Sequence, residues 1–218
     1  MLGPNLATQA VMTEEELIAH AIQGDLDCFN QLIRTYQNQA FNVAYRIMAD
    51  EAAAADATQE AVITIYRKID TFRGGSFKSW FLRIVTNTCL DELRRQRRRP
   101  TVPLEAESED GEVIEDGKWM EDDAAGPEEQ LSDSEIEQAI QNCLSDLDDK
   151  FRVVLVMVDV GGENYEAVAA AIGRPVGTVK SRLARGRLKM QECLQGLGEL
   201  LPGKFRQSHE ESSHDQAR

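Results

Sequence analysis

The chain has 218 residues and a formal net charge of −14, from 38 acidic and 24 basic side chains. Apolar residues make up 42%, which is enough to build a core and argues against a wholly disordered chain. No run approaches the roughly 20 apolar residues that a membrane span needs, and residues 1–12 do not have the pattern of a secretory signal. The sequence therefore predicts a cytoplasmic protein without membrane insertion.

The first predicted helix begins at Thr13, because Thr13 and Glu16 have the spacing of a capping box. Gly24 and Asp25 end it. Apolar residues then recur every three or four positions, and this periodicity predicts three more helices, over residues 27–47, 52–69 and 76–97. No stretch alternates with period two, so we expect an all-α fold.

The segment after this first block has a different composition. Residues 100–149 carry 18 acidic side chains and one basic one, and 100–130 combine that charge with three prolines and little apolar content. Such a segment repels itself and cannot bury enough surface to fold alone. The sequence therefore predicts two small helical domains joined by a flexible acidic linker. The expected division is a disordered N-terminus 1–12, a domain 13–99, a linker 100–130, a domain 131–195 and a polar tail 196–218.

The second block is predicted to contain four helices. Ser132 and Glu135 have capping-box spacing, so the first helix is expected to begin there. Later, Asn164 can cap a short helix, a turn follows at 173–175, and another helix starts at Val176. Helix, tight turn and helix in this order predict a helix-turn-helix, in which the second helix reads DNA.

Basic residues are concentrated in two segments of this acidic chain. Residues 73–99 contain eight basic and two acidic side chains, and 174–190 contain six basic and no acidic ones. Two such segments indicate two separate contacts with nucleic acid. The alternative for each segment alone is a solvated charged face. The outer face of the second segment carries Lys180, Ser181, Ala184 and Arg185, which suit duplex DNA.

The first basic segment also contains aromatic residues. Residues 72–81 mix Phe and Trp with Arg and Lys around Gly74 and Gly75, a pattern that suits single-stranded nucleic acid because bases stack on rings while cations follow phosphates. Beyond this loop, one helix face carries Trp80, Arg83, Asn87, Asp91 and Arg94. Core packing is the alternative for Trp80.

The remaining polar groups point to no catalysis. The four cysteines lie far apart in sequence and are expected to be buried thiols, with no disulfide framework and no metal site. The three histidines have no evident cysteine or carboxylate partners, and no phosphate loop is present, so no cofactor and no enzyme activity are expected. Asp56, Gln59, Glu60 and Thr64 form a polar face for which solvation is the simplest interpretation.

Taken together, three strings resemble the extracytoplasmic-function (ECF) group of bacterial sigma factors. They are residues 165–187, similar to the promoter-reading helix-turn-helix, residues 56–60, similar to the polymerase-binding helix, and residues 72–94 with their Phe-Arg-Gly and Trp80. The resemblance covers about residues 14–97 and 132–192. It implies a factor that binds core RNA polymerase and directs transcription initiation at promoters.

The resemblance also implies a role for each matching residue. Asp56, Gln59 and Glu60 would contact the clamp helices of the polymerase largest subunit, and the second-largest subunit and an anti-sigma factor are further implied partners. The residues implied in capture of the melted −10 strand are Arg73, Phe77, Lys78, Trp80, Arg83, Asn87 and Arg94. Those implied in reading the −35 duplex are Arg174, Thr178, Lys180, Ser181, Ala184 and Arg185.

Two other classes of protein remain as alternatives. A stand-alone helix-turn-helix regulator would account for residues 150–190 but gives no purpose to Trp80 or the face at 56–60. A sigma-mimicking protein-interaction module would not need the eight cations of residues 73–99.

Overall fold

The computed structural model describes residues 12–98 and 127–196, with side chains from residue 135 in the second range. Every regular element in these two ranges is helical, which confirms the all-α prediction there. The helices are α1 (Glu14–Ile22), α2 (Leu26–Met48), α3 (Glu51–Lys68), α4 (Phe77–Arg98), α5 (Pro127–Ser145), α6 (Asp149–Leu155), α7 (Tyr165–Ile172) and α8 (Val176–Gly196). None of the described helices is long and apolar enough to cross a membrane.

Helix starts in the first group are fixed by side-chain caps. Thr13 Oγ1 accepts the N–H of Glu16 at 3.3 Å, and Glu16 Oε2 accepts the N–H of Thr13 at 2.8 Å, so the predicted capping box is confirmed. Asp25 caps α2 and Asp50 caps α3 in the same manner, each through a carboxylate oxygen. These contacts satisfy N–H groups that have no partner inside the helix.

The long helix α2 is the centre of the first group, and α1, α3 and α4 pack against it. Its inner face is fully enclosed at Ala40, Val43 and Ile47. On α4, Leu82, Val85 and Cys89 are buried as the periodicity predicts. A 3₁₀ turn, Ile69–Thr71, leads from α3 towards α4.

The beginning of α5 differs from the prediction. The helix starts at Pro127, so Ser132 and Glu135 lie inside it and do not form its N-terminal capping box. A proline is tolerated at the first helical position because its missing N–H needs no intrahelical partner there. Helix α5 therefore includes the last four residues of the predicted linker, and the other residues of that linker, like the N-terminal segment and the tail after Gly196, lie outside the described residues.

In the second group, α6 continues into a π-helical turn, Val156–Val160, before the chain reaches α7. Both α6 and α7 pack against α8, and α5 touches α8 as well. Met157 and Val168 are enclosed between these elements. A methyl group added at Gly161 would lie 2.7 Å from the carbonyl oxygen of Met157, so only glycine fits at the end of the turn.

The two groups touch each other. α4 contacts α7, and α2 contacts α5 and the π-helical turn. Polar contacts join them too: Gln39 Nε2 donates to the carbonyl of Gly161 at 3.1 Å, and Arg46 Nη1 donates to Gln141 Oε1 at 3.2 Å. The buried apolar residues of both groups form one continuous cluster.

The prediction that all four cysteines are free thiols is wrong for two of them. Cys28 and Cys89 are free and buried, as expected. Cys143 and Cys193 instead form a disulfide, with their Cα atoms 5.8 Å apart. The sequence separation of 50 residues hides this pairing, because it is the packing of α5 against α8 that brings the two side chains together.

Candidate functional site

One exposed face of α3 carries the polar residues that the sequence singles out. Ala54, Ala57 and Ala61 turn inward, so Asp56, Gln59 and Glu60 lie together on the opposite, solvent-facing side. A side chain that sequence reasoning missed, Ile63, belongs to the same face and is 46% exposed.

Ile63 follows Glu60 by three positions and Gln59 by four, which is the spacing of neighbours on a helix surface. This spacing is the signal that could have revealed it. Ile63 thus adds one exposed apolar side chain to this polar face.

At the start of α4, aromatic rings form a cluster. The ring centroid of Trp80 lies 5.5 Å from that of Phe72 and 5.7 Å from that of Phe77, and Phe77 also packs on Phe81. Trp80 is half-buried, so part of its indole faces solvent, as does part of Phe72. The cluster therefore offers two rings, Phe72 and Trp80, to a ligand.

Phe77 is the exception among the residues predicted to contact the −10 strand. Its side chain is fully buried, so it cannot touch DNA in this arrangement. The sequence pattern could not show which of the neighbouring aromatic side chains is buried, because this depends on the residue at which α4 begins. The buried ring of Phe77 instead packs against the rings of Phe72 and Trp80, with a centroid distance of 5.7 Å to each.

The loop before α4 takes its shape from its glycines. Gly74 and Gly75 have φ angles of 91° and 88°, in the left-handed region that favours glycine. Ser76 Oγ then accepts the N–H of Ser79 at 3.1 Å and caps the helix. Arg73 is exposed on this loop and its guanidinium donates to the carbonyl of Asp70.

Further along α4, the predicted polar face is exposed. Arg83, Asn87 and Arg94 all lie at the surface, and Lys78 is half-buried beside Gly162 of the second group. Arg94 forms an ion pair with Asp91 at 2.7 Å. Asp91 therefore neutralises part of the positive charge of this face. Arg83 is exposed and does not belong to the Arg94–Asp91 ion pair.

The helix-turn-helix forms as predicted. Asn164 Oδ1 accepts the N–H of Ala167 at 2.8 Å and starts α7, and Gly173 ends it with a φ of 62°. Val179 and Leu183 bury the inner face of α8 against the rest of the group.

On the outer face of α8 and the turn before it, most of the predicted DNA-reading residues are accessible. Thr178 is half-buried; the exposed ones are Arg174, Lys180, Ser181, Ala184 and Arg185. Lys180 Nζ lies 5.7 Å from the ring centroid of Tyr165, and Ser181 Oγ donates to the carbonyl of Thr178.

The next arginine of α8 has a structural partner. Arg187 forms two hydrogen bonds with the carboxylate of Asp159, at 2.6 and 3.1 Å, and this contact raises the pKa of the arginine. None of the ion pairs in the described ranges involves Arg174, Lys180 or Arg185. The charges of these three side chains are therefore available to a polyanion.

One group of side chains departs from the expectation that the histidines lack partners. His20, Asp25 and Cys28 place their possible metal-ligand atoms within 4.8 Å of one another at the turn between α1 and α2. Asp25 already accepts the backbone N–H groups of Asp27 and Cys28, which holds its pKa below the usual value. Helix capping accounts for the position of this carboxylate.

Two family models match the chain: Sigma-70 region 2 over residues 32–99, and Sigma-70, region 4 over residues 137–190. The ECF RNA polymerase sigma factor SigE of Mycolicibacterium smegmatis is 33% identical over 172 residues, which cover 79% of this chain and 63% of that protein. The RNA polymerase sigma-H factor of Pseudomonas aeruginosa is 33% identical over 185 residues, which cover 84% of this chain and 95% of that protein.

A solved structure shows the same fold. The sigma factor RpoE from Bartonella quintana, in complex with the anti-sigma factor NepR, superposes with a TM-score of 0.58 at 23% identity, covering 77% of this chain and 96% of that one. The helix-turn-helix and the second basic surface define a helical DNA-binding protein of transcription. More narrowly, the chain belongs to the ECF group of the sigma-70 family of RNA polymerase sigma factors.

Proposed function

We propose that this sigma factor binds core RNA polymerase in the cytoplasm through α3, reads the −35 element as duplex with α8, and holds the melted −10 strand at the start of α4. The functional units are residues 13–99 and 131–195. The observation that carries the proposal is the pair of separate exposed basic surfaces, one beside half-exposed aromatic rings and one on a recognition helix.

Duplex reading is the task of the first turns of α8. A recognition helix lies in the major groove, and its early residues reach base edges. Lys180 and Arg185 are exposed cations that can contact guanine edges or phosphates, and the methyl of Ala184 can pack on a thymine methyl. Arg174, at the turn, is placed to bind a backbone phosphate.

Strand capture is the task of the aromatic cluster. A base that leaves the duplex loses a few kcal/mol of stacking and pairing, and stacking against Trp80 or Phe72 offsets this loss. Arg73 and Lys78 follow the phosphates, while Arg83, Asn87 and Arg94 extend the surface along α4. Phe77 supports the cluster from behind and is not proposed to touch DNA.

Polymerase binding is the task of the exposed face of α3. Asp56, Gln59 and Glu60 would contact the clamp helices of the largest subunit, with Ile63 as the apolar centre of the contact. The second-largest subunit is a further proposed partner. An anti-sigma factor is proposed as the regulator, since a solved relative is held by one.

The test is size exclusion of the purified chain with core RNA polymerase, with a promoter-free duplex in a parallel run. We expect co-elution with the core and little binding to the duplex alone. Tight duplex binding without core association would contradict the proposal and favour a stand-alone helix-turn-helix regulator.

A matched pair of variants locates the polymerase contact. Glu60→Ala and Glu51→Ala each remove one exposed acidic side chain from α3, but Glu51 lies in the first turn, away from the proposed face. We expect Glu60→Ala, and more strongly Ile63→Ala, to weaken core binding while Glu51→Ala leaves it unchanged. Equal affinities for all three variants would exclude this face as the contact.

A further inference from the structure

The disulfide between Cys143 and Cys193 lies where two elements of the second group meet. Cys143 is near the end of α5, and Cys193 is in the last turn of α8, beyond the residues proposed to read DNA. The bond therefore links the far end of the recognition helix to the helix that begins the group. Nothing in the proposed function uses this link.

A disulfide is unusual where this protein is proposed to work. Core RNA polymerase and promoter DNA are in the cytoplasm, where thiol reductants keep cysteines reduced and disulfides that do form are mostly transient or redox-sensing. This step rests on the proposed function. We propose that Cys143 and Cys193 are an oxidative modification site, a thiol pair that low-molecular-weight disulfides oxidise and small thiols restore.

The two sulfur atoms differ in their access to solvent, and this difference determines which cysteine reacts first. Cys143 is 1% exposed, whereas Cys193 is half-buried and can meet a small molecule. The Cys193 thiolate attacks one sulfur of the small disulfide, whose S–S bond breaks and releases one small thiol. The Cys143 thiolate then attacks the Cys193 sulfur of the mixed disulfide and releases the second.

The electrons and protons balance in this exchange. Two cysteine thiols are oxidised to one disulfide, one small disulfide is reduced to two small thiols, and the two protons pass to the departing thiolates. Reduction by two small thiols is the reverse sequence.

Neither of the other two cysteines offers an accessible thiol like that of Cys193, which the first step requires. Cys89 is fully buried, and desolvation raises its pKa to about 12, so almost none of it is thiolate near neutral pH. Desolvation and the neighbouring Asp25 also raise the pKa of Cys28, which is buried. They serve as internal controls, since neither should exchange.

The effect of the bond falls on the last turns of α8. The inner face of α8 is buried at Val179 and Leu183, whereas four of the six residues from Gln191 to Gly196 are exposed. With the bond open, the end of α8 loses a covalent anchor to α5. We expect amide hydrogen exchange over residues 191–196 to become at least tenfold faster on reduction, and exchange over 177–186 to change less than threefold.

The first experiment equilibrates the full-length chain in buffers of fixed ratios of glutathione to glutathione disulfide, quenches exchange with acid, unfolds the chain in denaturant so that buried thiols also react, and alkylates free thiols for peptide mass spectrometry. We expect Cys143 and Cys193 to be alkylated together in reducing buffers and protected together in oxidising ones, while Cys28 and Cys89 stay thiols throughout. A pair that stays reduced in every buffer would overturn the inference. A bond that survives the most reducing buffer would also overturn it, since it would then be a permanent link.

Single variants test the order of attack. Cys143→Ser should retain a glutathione adduct on Cys193, whereas Cys193→Ser should leave the buried Cys143 unmodified. The reverse pattern would refute the assigned order. None of these readouts uses polymerase or DNA, so a chain that switches without binding core would contradict the proposed function alone, and one that binds core without switching would contradict this inference alone.

Discussion

The aromatic cluster at the start of α4 shows how neighbouring residues of similar type differ in role. Phe77 is enclosed, and its ring centroid lies within 6.3 Å of those of four other aromatic side chains, Tyr36, Phe72, Trp80 and Phe81. Trp80 keeps part of its surface in solvent. Substitutions at the two positions should therefore separate stability from binding.

Replacing Phe77 by Ala should lower the free energy of unfolding by about 3–5 kcal/mol, because it leaves a cavity in the core. Trp80→Ala should cost less stability but weaken binding of a single-stranded −10 oligonucleotide to the polymerase-bound factor by about 1–3 kcal/mol, the value of one stacked base. Urea unfolding and oligonucleotide titration measure the two effects. Large losses of stability in both variants would mean that Trp80 is a core residue.

The unpaired cations of α8 have a salt-dependent signature. If Lys180 contacts a phosphate, Lys180→Ala should reduce the slope of log affinity against log salt by about one for promoter binding by the holoenzyme. Lys68→Ala removes an equally exposed lysine at the end of α3 and serves as the control. If the slope is unchanged and the variant loses affinity only for promoters that carry one particular base pair, Lys180 reads a base edge and does not contact a phosphate.

At the scale of elements, the second group is held by close packing of α8 on α6. A methyl group added at Gly186 would lie 3.4 Å from Leu155 Cδ1 and 3.5 Å from the carbonyl oxygen of Phe151. Gly177, in the same helix, has open space around it. At 186 an added methyl group would be in ordinary van der Waals contact with α6, which leaves no room for a larger side chain, whereas at 177 the space is open.

Gly186→Leu should therefore destabilise the second group by about 1–3 kcal/mol, since the larger side chain forces α6 and α8 apart. Gly177→Ala should be neutral or stabilising by up to about 1 kcal/mol, because alanine favours helix and meets nothing. Thermal unfolding followed by circular dichroism distinguishes them. Similar midpoints for the two variants would contradict the close contact at 186.

Opening the link between α5 and α8 should also lower stability. The disulfide closes a loop of about 50 residues, and a disulfide that closes a loop of this size typically stabilises the folded state by about 2–4 kcal/mol. The double variant Cys143→Ser with Cys193→Ser should unfold at lower denaturant concentration than the oxidised chain and match the reduced one. A double variant as stable as the oxidised chain would show that the bond adds nothing.

Local patterns in the sequence were sufficient wherever a helix start or face depends on neighbours in the chain. The capping box at Thr13, the cap at Asn164 and the inner face of α8 are of this kind. They failed where the outcome depends on distant packing or on competing local signals. The pairing of Cys143 with Cys193 depends on distant packing. The start of α5 at Pro127 depends on a choice between competing local signals.

At the scale of the whole molecule, a continuous cluster of buried apolar residues joins the two groups. The polar contacts between the groups include the ion pair of Arg97 with Asp149 at 2.7 Å, whose arginine side chain is 69% exposed. Asp149 is only 16% exposed and also pairs with Arg152 at 2.7 Å, so Arg97 adds an exposed, salt-screened charge to a carboxylate that already has a partner. We expect the continuous apolar cluster to contribute more to the contact than these charges do, because burial of apolar surface does not depend on ionic screening.

Raising the salt concentration from about 0.1 to 1 M, which shortens the Debye length from about 10 to 3 Å, should consequently leave the compact arrangement intact. Small-angle scattering of the free chain should give the same radius of gyration at both concentrations. Arg97→Ala should behave like the unmodified chain. A radius that grows with salt would mean that charge, and not apolar burial, holds the groups together.

Because both groups belong to one chain, their contact is an intramolecular equilibrium. Only 28 residues separate Arg98 from Pro127, and a tether of that length keeps each group at an effective concentration on the order of millimolar near the other. Dilution therefore does not open the molecule. A partner that needs a face covered by this contact competes with a neighbour that is always present, and its apparent association constant is the intrinsic one multiplied by the open fraction.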